Sequence, residues 1–162
     1  MKKNIFGFTL IELIVTVTII MVLAGVGSMS LNVFNGKKDL ESVQNEVSNF
    51  LKFARNLAIT KQLSNKAYNL KYVKINFSSN QVIIRGIDDD GLTHSTPPYS
   101  TLPAKDGITI WASNNFGFLK SNGQLTDNSG VATTMSVVVS VSGIGGTKTI
   151  TINNFGIITN GN

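Results

Sequence analysis

Glu12 is the only ionisable side chain between Phe8 and Phe34. A charge held within hydrocarbon costs about 2.5 to 3.5 kcal/mol on insertion scales, so a carboxylate near the start of an apolar helix calls for a cation. Other residues invite chemistry and offer less. Asp88-Asp89-Asp90-Gly91 could present carboxylates to calcium, a hard cation that favours oxygen ligands. The run lacks the spaced ligands of an EF-hand loop and reads as a solvated turn. Gly143-Ile144-Gly145-Gly146-Thr147-Lys148 has the glycine content of a phosphate-binding loop, but a β-like run follows it where a helix start would be needed. It reads as a hairpin turn. His94 is the single histidine, so neither a histidine metal site nor a Ser-His-Asp arrangement can be built, and it is expected in a loop with Pro97, Pro98 and Pro103. Cysteine is absent, which excludes thiolate chemistry and disulfides and leaves the redox compartment unread. Trp111, near Ile108 and Ile110, reads as core or edge packing. With no catalytic constellation, no enzyme activity and no cofactor are expected.

The elements that hold Glu12 are set by uneven hydrophobicity. A chain of 162 residues that is 42% hydrophobic fits one modest domain plus an appendage. Phe8 to Val33 is a dense apolar block, whereas the remainder is rich in Gly, Ser, Thr and Asn. About 20 apolar residues cross a bilayer as a helix rising about 1.5 Å per residue, so this block is long enough to span. Three readings fit such a block: a cleaved secretory signal, a plain anchor, and a leader cut on the cytoplasmic side of the block. Leu23 to Ser28 makes a poor small-x-small signal-cleavage site, and a secretory signal gives Glu12 no role. The net charge of +5 is scattered, with pairs only at Lys2-Lys3 and Lys37-Lys38. A nucleic-acid surface is not expected from it.

Gly7-Phe8-Thr9-Leu10-Ile11-Glu12-Leu13, preceded by the short basic leader Met1 to Phe6, resembles the GFTLIEL signature of type IV prepilins and of type II secretion pseudopilins. The resemblance implies that a membrane-embedded aspartyl prepilin peptidase cuts after Gly7 and that the new amino terminus, Phe8, is methylated. Loss of Lys2 and Lys3 then lowers the formal side-chain charge from +5 to +3. Glu12 becomes the fifth mature residue. The physical logic is that the cut exposes an α-amino cation at the head of an apolar helix, and Glu12 of a neighbouring subunit can neutralise it. Because unpaired buried charges are costly, such pairing would fix the axial register of a staggered filament.

Beyond the block, Leu40, Val43, Val47, Phe50, Ala54 and Leu57 recur at spacings of three and four between charged residues, an amphipathic pattern expected to pack on the chain's own β-sheet. Proline is absent before Pro97, so one helix near 80 Å long is expected from Phe8 to about Lys61. Gly25 to Ser30 is its weakest stretch, since glycine costs up to about 1 kcal/mol against alanine. After Asn65, Tyr68, Leu70 and Tyr72 alternate and then change parity to Val73, Ile75 and Phe77, which predicts a bulge near Tyr72. Further strands are predicted at Gln81 to Ile87, Gly107 to Ala112, Phe116 to Lys120, Met135 to Val141, Lys148 to Ile152 and Phe155 to Ile158, with a hairpin turn at Asn122-Gly123. The expected fold is α+β, type IV pilin-like: a long N-terminal α-helix, half transmembrane and half amphipathic, packed on a C-terminal antiparallel β-sheet domain with one or two sheets. The expected boundaries are a leader at 1–7, an assembly helix at 8–36, an amphipathic helix at 37–64 and a β domain at 65–162.

Ala54-Arg55-Asn56-Leu57-Ala58-Ile59-Thr60-Lys61 and the closing Phe155-Gly156-Ile157 are similar to segments of the minor pseudopilin group called GspH/FimT. Some relatives of that group bind DNA through arginines after the terminal glycine. Residues 157–162 supply no cation, so that route is not expected here. The resemblance implies a minor pilin or pseudopilin of a type IV pilus or type II secretion filament. Its implied partners are the prepilin peptidase, other pilin subunits, the inner-membrane assembly platform and membrane lipid. It would start as a single-pass inner-membrane protein with its amino terminus inside, then enter an extracytoplasmic filament. Lys37 and Lys38 lie on the far flank of the block, so orientation rests on the peptidase motif rather than on charge. A DNA-uptake (competence) pilin, a major pilin and a membrane-anchored module that never polymerises are the alternatives.

Overall fold

The computed structural model describes residues 9–60, 70–78, 81–88 and 99–161, and within the helix the side chains of all but 26–30. Helix α1 runs unbroken over Leu10–Thr60, 51 residues or about 77 Å at about 1.5 Å per residue. Its backbone stays helical through 25–30 despite the glycines. Among the described residues nine strands follow: β1 Leu70–Ser78, β2 Gln81–Asp88, β3 Ser100–Pro103, β4 Thr109–Ala112, β5 Phe116–Leu119, β6 Leu125–Thr126, β7 Val137–Gly143, β8 Gly146–Ile152 and β9 Ile158–Asn160. They form two antiparallel sheets, ordered β3-β2-β1-β5-β6 and β4-β7-β8-β9. The architecture is α+β, consistent with a pilin-like fold.

The helix changes character along its length because its partners do. From Leu10 to Phe34 the large apolar side chains that are described stand exposed, while Leu40, Val43, Val47, Leu51, Ala54, Leu57 and Ala58 are buried. The buried stripe packs on β1, β5, β7, β8 and β9, so α1 joins both sheets into one core. It is wider than the predicted row: Leu51 and Ala58 belong to it, and Phe50 is only half-buried at its margin. Gln44 also lies within it, donating from Nε2 to the carbonyls of Thr149 and Gly161, each at 2.7 Å. That buried amide ties β8 and the chain's end to the helix. Phe77, Phe116 and Phe118 complete the β side of the core, with centroids 5.6 and 5.9 Å apart in tilted and edge-to-face geometry.

The expected bulge is present as a register shift between Leu70 and Tyr72, which buries Tyr72 and Val73 on successive positions. Several strand limits differ from the predicted ones, each for a local reason. Segment 100–103, expected as loop, is strand β3; among the described residues it pairs only with β2, and such an edge tolerates Pro103 because one side needs no N–H. Met135 stays outside β7 and 76% exposed, since its N–H bonds the Thr133 hydroxyl at 3.1 Å. Phe155 to Ile157 form a turn, not a strand, because the Asn153 carboxamide accepts from the N–H groups of Phe155 and Ile157 at 3.0 and 2.9 Å. At the β5–β6 turn the positive φ angles fall on Ser121 and Gly123, because Asn122 Oδ1 accepts from the Gln124 N–H at 3.0 Å in an Asx turn. Tyr68, His94, Pro97, Pro98 and residues 61–64 lie outside the described residues.

Candidate functional site

The helix start is where sequence and geometry meet. Thr9 precedes α1, and its hydroxyl accepts from the Glu12 N–H at 3.4 Å while donating to Glu12 Oε2 at 3.4 Å. The Thr9 carbonyl accepts from Leu13 N–H at 3.2 Å, closing the first turn. Thr at the N-cap and Glu three residues on have the spacing of a capping box, but the carboxylate takes the Thr9 hydroxyl rather than the Thr9 N–H, and it sits at the positive end of the helix dipole. The T-x-x-E spacing was visible in the sequence and signals this role, which the charge argument alone passes over. Glu12 is exposed and has no cationic partner among the described residues. Leu10, Ile11, Leu13 and Ile14 around it are 79, 71, 57 and 55% exposed. One carboxylate therefore projects from an apolar rod whose described large apolar side chains are exposed. Gly7 and Phe8, the expected cleavage and methylation positions, lie outside the described residues.

The far end of the helix carries a second constellation. Arg55 donates from Nε to the Gly123 carbonyl at 3.2 Å and from Nη2 to the Phe155 carbonyl at 3.4 Å. Gly156, with φ +74°, sits where a Cβ would collide with the Gly123 carbonyl oxygen and lie 2.8 Å from Arg55 Nε. Arg55 and Phe155-Gly156, a hundred residues apart in sequence, thus form one junction between α1, the β5–β6 turn and the turn before β9.

The remaining candidates are dispersed. Asp88 ends β2 buried opposite Leu70, and Asp89 and Asp90 lie outside the described residues. Among the described residues no three His, Cys, Asp or Glu side chains gather as metal ligands. The Gly143–Gly146 segment is the β7–β8 hairpin turn, as expected. Trp111 lies on edge strand β4 and is half-exposed beside Phe77 and Ser113 to Asn115, in a shallow cleft of about 500 Å³ that contains no titratable side chain. Tyr72, on β1, donates to the Asn128 carbonyl at 3.0 Å; burial, with the nearby Asp127 charge adding to it, raises its pKa above the ordinary tyrosine range.

A family model described as the prokaryotic N-terminal methylation motif matches residues 2–28. No curated protein and no solved structure matches the chain. The motif supports a type IV pilin-like protein and implies processing by a prepilin peptidase and assembly with other pilins. It also suggests a membrane-anchored subunit that passes into a filament outside the cell. Among the described residues no helix is long and apolar enough to cross a membrane.

Proposed function

We propose that this protein is a minor pilin or pseudopilin: it is cut between Gly7 and Phe8, methylated on Phe8, anchored by residues 8–36 and polymerised through that same helix. The observation that carries this reading is the lone Glu12 carboxylate on an exposed apolar helix, inside a segment that matches the methylation motif. The large apolar side chains described from Leu10 to Phe34 are exposed and make no part of the domain core, and taking them out of water into lipid stabilises by about 25 cal/mol per Å² of apolar surface; in the filament other rods keep them out of water. In the lipid-poor centre of a filament the amine of Phe8 and the carboxylate of Glu12 from adjacent subunits neutralise each other. The inner-membrane assembly platform and lipid are the further partners of this cycle. Mass spectrometry of the purified amino terminus tests it: an N-methylated Phe8 is expected, and a native chain that begins elsewhere overturns the proposal.

Within that class, membership of the GspH/FimT group is supported by the junction at Arg55. The two segments that resemble that group are distant in sequence, and their Arg55 and Phe155-Gly156 meet through the bonds to the Gly123 and Phe155 carbonyls. The same helix serves a secretion pseudopilus, a type IV pilus or a DNA-uptake filament, and the neighbouring genes discriminate among them. A structural role without catalysis is proposed, and a hydrolytic screen of the processed protein that found turnover would reject it. Calcium at Asp88, Asp89 and Asp90 is proposed absent, which calorimetric titration with the ion checks.

A further inference from the structure

The β7–β8 hairpin ends in an unusual way for a solvent-facing turn. Ile144 at its tip is 81% exposed, more than any other large apolar side chain described in the domain. The turn is not a free loop, because it is seated on the helix backbone at Gly36. A Cβ at Gly36 would come within 3.0 Å of the Gly145 nitrogen, and one at Gly145 would come within 2.5 Å of the Lys37 nitrogen. Gly143 lies 3.5 Å, by the same measure, from Leu40 Cδ2. Two glycines in backbone contact therefore fix Ile144 beside α1, at the level where the apolar rod ends.

That level is defined by composition and by length. Leu31, Val33 and Phe34 are the last exposed apolar residues of the rod, and Lys37 and Lys38, both exposed, follow within one turn. Lys38 Nζ lies 4.8 Å above the Phe34 ring, an aromatic and cationic pair suited to a headgroup layer. The next carboxylates, Asp39 and Glu41, are engaged by Lys105 at 2.6 Å and Lys148 at 3.9 Å, so the face toward the rod keeps its positive character. From Leu10 to Gly36 the helix rises about 39 Å at about 1.5 Å per residue. A bilayer with its headgroups is about 40–45 Å thick.

We infer that the Ile144 hairpin tip is a second membrane contact, inserted at the headgroup and acyl boundary of the outer face while the subunit waits to be assembled. The inference rests on the reading of residues 8–36 as a membrane anchor. A rod alone leaves the domain free to rotate and tilt about its axis. The seated hairpin adds an off-axis apolar point, and Lys37 and Lys38 draw it toward anionic headgroups. The β domain is thereby held in one orientation to the membrane.

The chain has no cysteine, so single-cysteine labelling is clean. Full-length Ile20→Cys, Ile144→Cys and Ile157→Cys variants carry an environment-sensitive fluorophore in phosphatidylethanolamine and phosphatidylglycerol vesicles, with nitroxide lipids labelled at the headgroup or deep in the acyl chain. The expected result is a blue-shifted label at position 144 quenched most by the headgroup nitroxide, a label at 20 quenched by the acyl nitroxide, and an unshifted label at 157. Quenching at 20 with a water-like label at 144 overturns the inference and leaves the anchor intact. Absence of lipid quenching at both sites overturns the anchor reading and the inference with it. A shift at 144 that grows with the protein-to-lipid ratio, without quenching by either nitroxide, means that a second copy covers the tip and likewise overturns it.

Discussion

Glu12 serves the helix start and the proposed filament with the same carboxylate, and the two roles separate by substitution. Glutamine can occupy the third position of a capping box but carries no charge. Glu12→Gln is therefore expected to leave the helix content of the micelle-embedded subunit unchanged by circular dichroism while filament assembly falls by roughly a hundredfold or more. That magnitude follows from the 3–5 kcal/mol or so lost when one partner of a buried ion pair is removed. Glu12→Ala should fail in assembly and fray the first turn as well. A monomeric display module would keep its surface level in both variants, so counting filaments and surface protein together distinguishes the rival reading. Tyr72 gives a test on pH. Its pKa is raised in the folded state by burial and then by Asp127, so above about pH 10 the unfolded chain releases the phenolic proton first. The stability it contributes is complete below pH 10 and is lost as the pH climbs through the raised folded value. Tyr72→Phe, which costs about 1 kcal/mol through the lost bond to Asn128, should flatten that alkaline decline in denaturant midpoints measured between pH 8 and 12.

Elements are joined in this fold by a few polar and glycine contacts that hydrophobic patterning does not reveal. The Arg55 junction ties the helix to two turns, and Gly156 is needed there for both its positive φ and its lack of a Cβ. Gly156→Ala is expected to destabilise the domain by at least about 1–3 kcal/mol, seen as a lowered thermal midpoint, since a non-glycine left-handed residue alone costs that much. Arg55→Lys should not recover the wild-type midpoint, because an ammonium has no fork to reach both carbonyls. Gln44 closes the other side of the sheet pair. Its replacement by Leu leaves the Thr149 and Gly161 carbonyls without that donor, at a cost of about 1–3 kcal/mol, and amide exchange should quicken along β9 before it does along β7.

At the scale of the whole molecule the subunit is a rod and a domain that share one helix. The buried helix residues begin at Leu40, and the described apolar residues up to Phe34 are exposed, so the domain's stability resides in residues 36–161. A fragment spanning 36–162 is expected to melt cooperatively within a few degrees of the full-length protein in micelles. A fragment that melts without a transition would mean that the rod contributes to the core. Gly36 marks the division because the β7–β8 turn rests on it, and a fragment starting at Leu40 should lose several degrees relative to one starting at Gly36.

Sequence alone was sufficient for the rod, the lone carboxylate, the amphipathic stripe and the α+β order, because each is a local property: a run of apolar residues, a spacing of three and four, an alternation of two. It reached the bulge at Tyr72 for the same reason, since a change of parity is written in adjacent residues. It missed β3, which looks like a proline-rich loop until β2 supplies one ladder for it, and β6, whose two residues are too short to show a period. The neighbour across a sheet or around a turn settled the rest. Asn153 and Asn122 turned predicted strand or hairpin residues into side-chain-bonded turns, and Arg55 met Gly156 across a hundred residues, because such contacts depend on where distant backbone carbonyls arrive and not on any pattern along the chain.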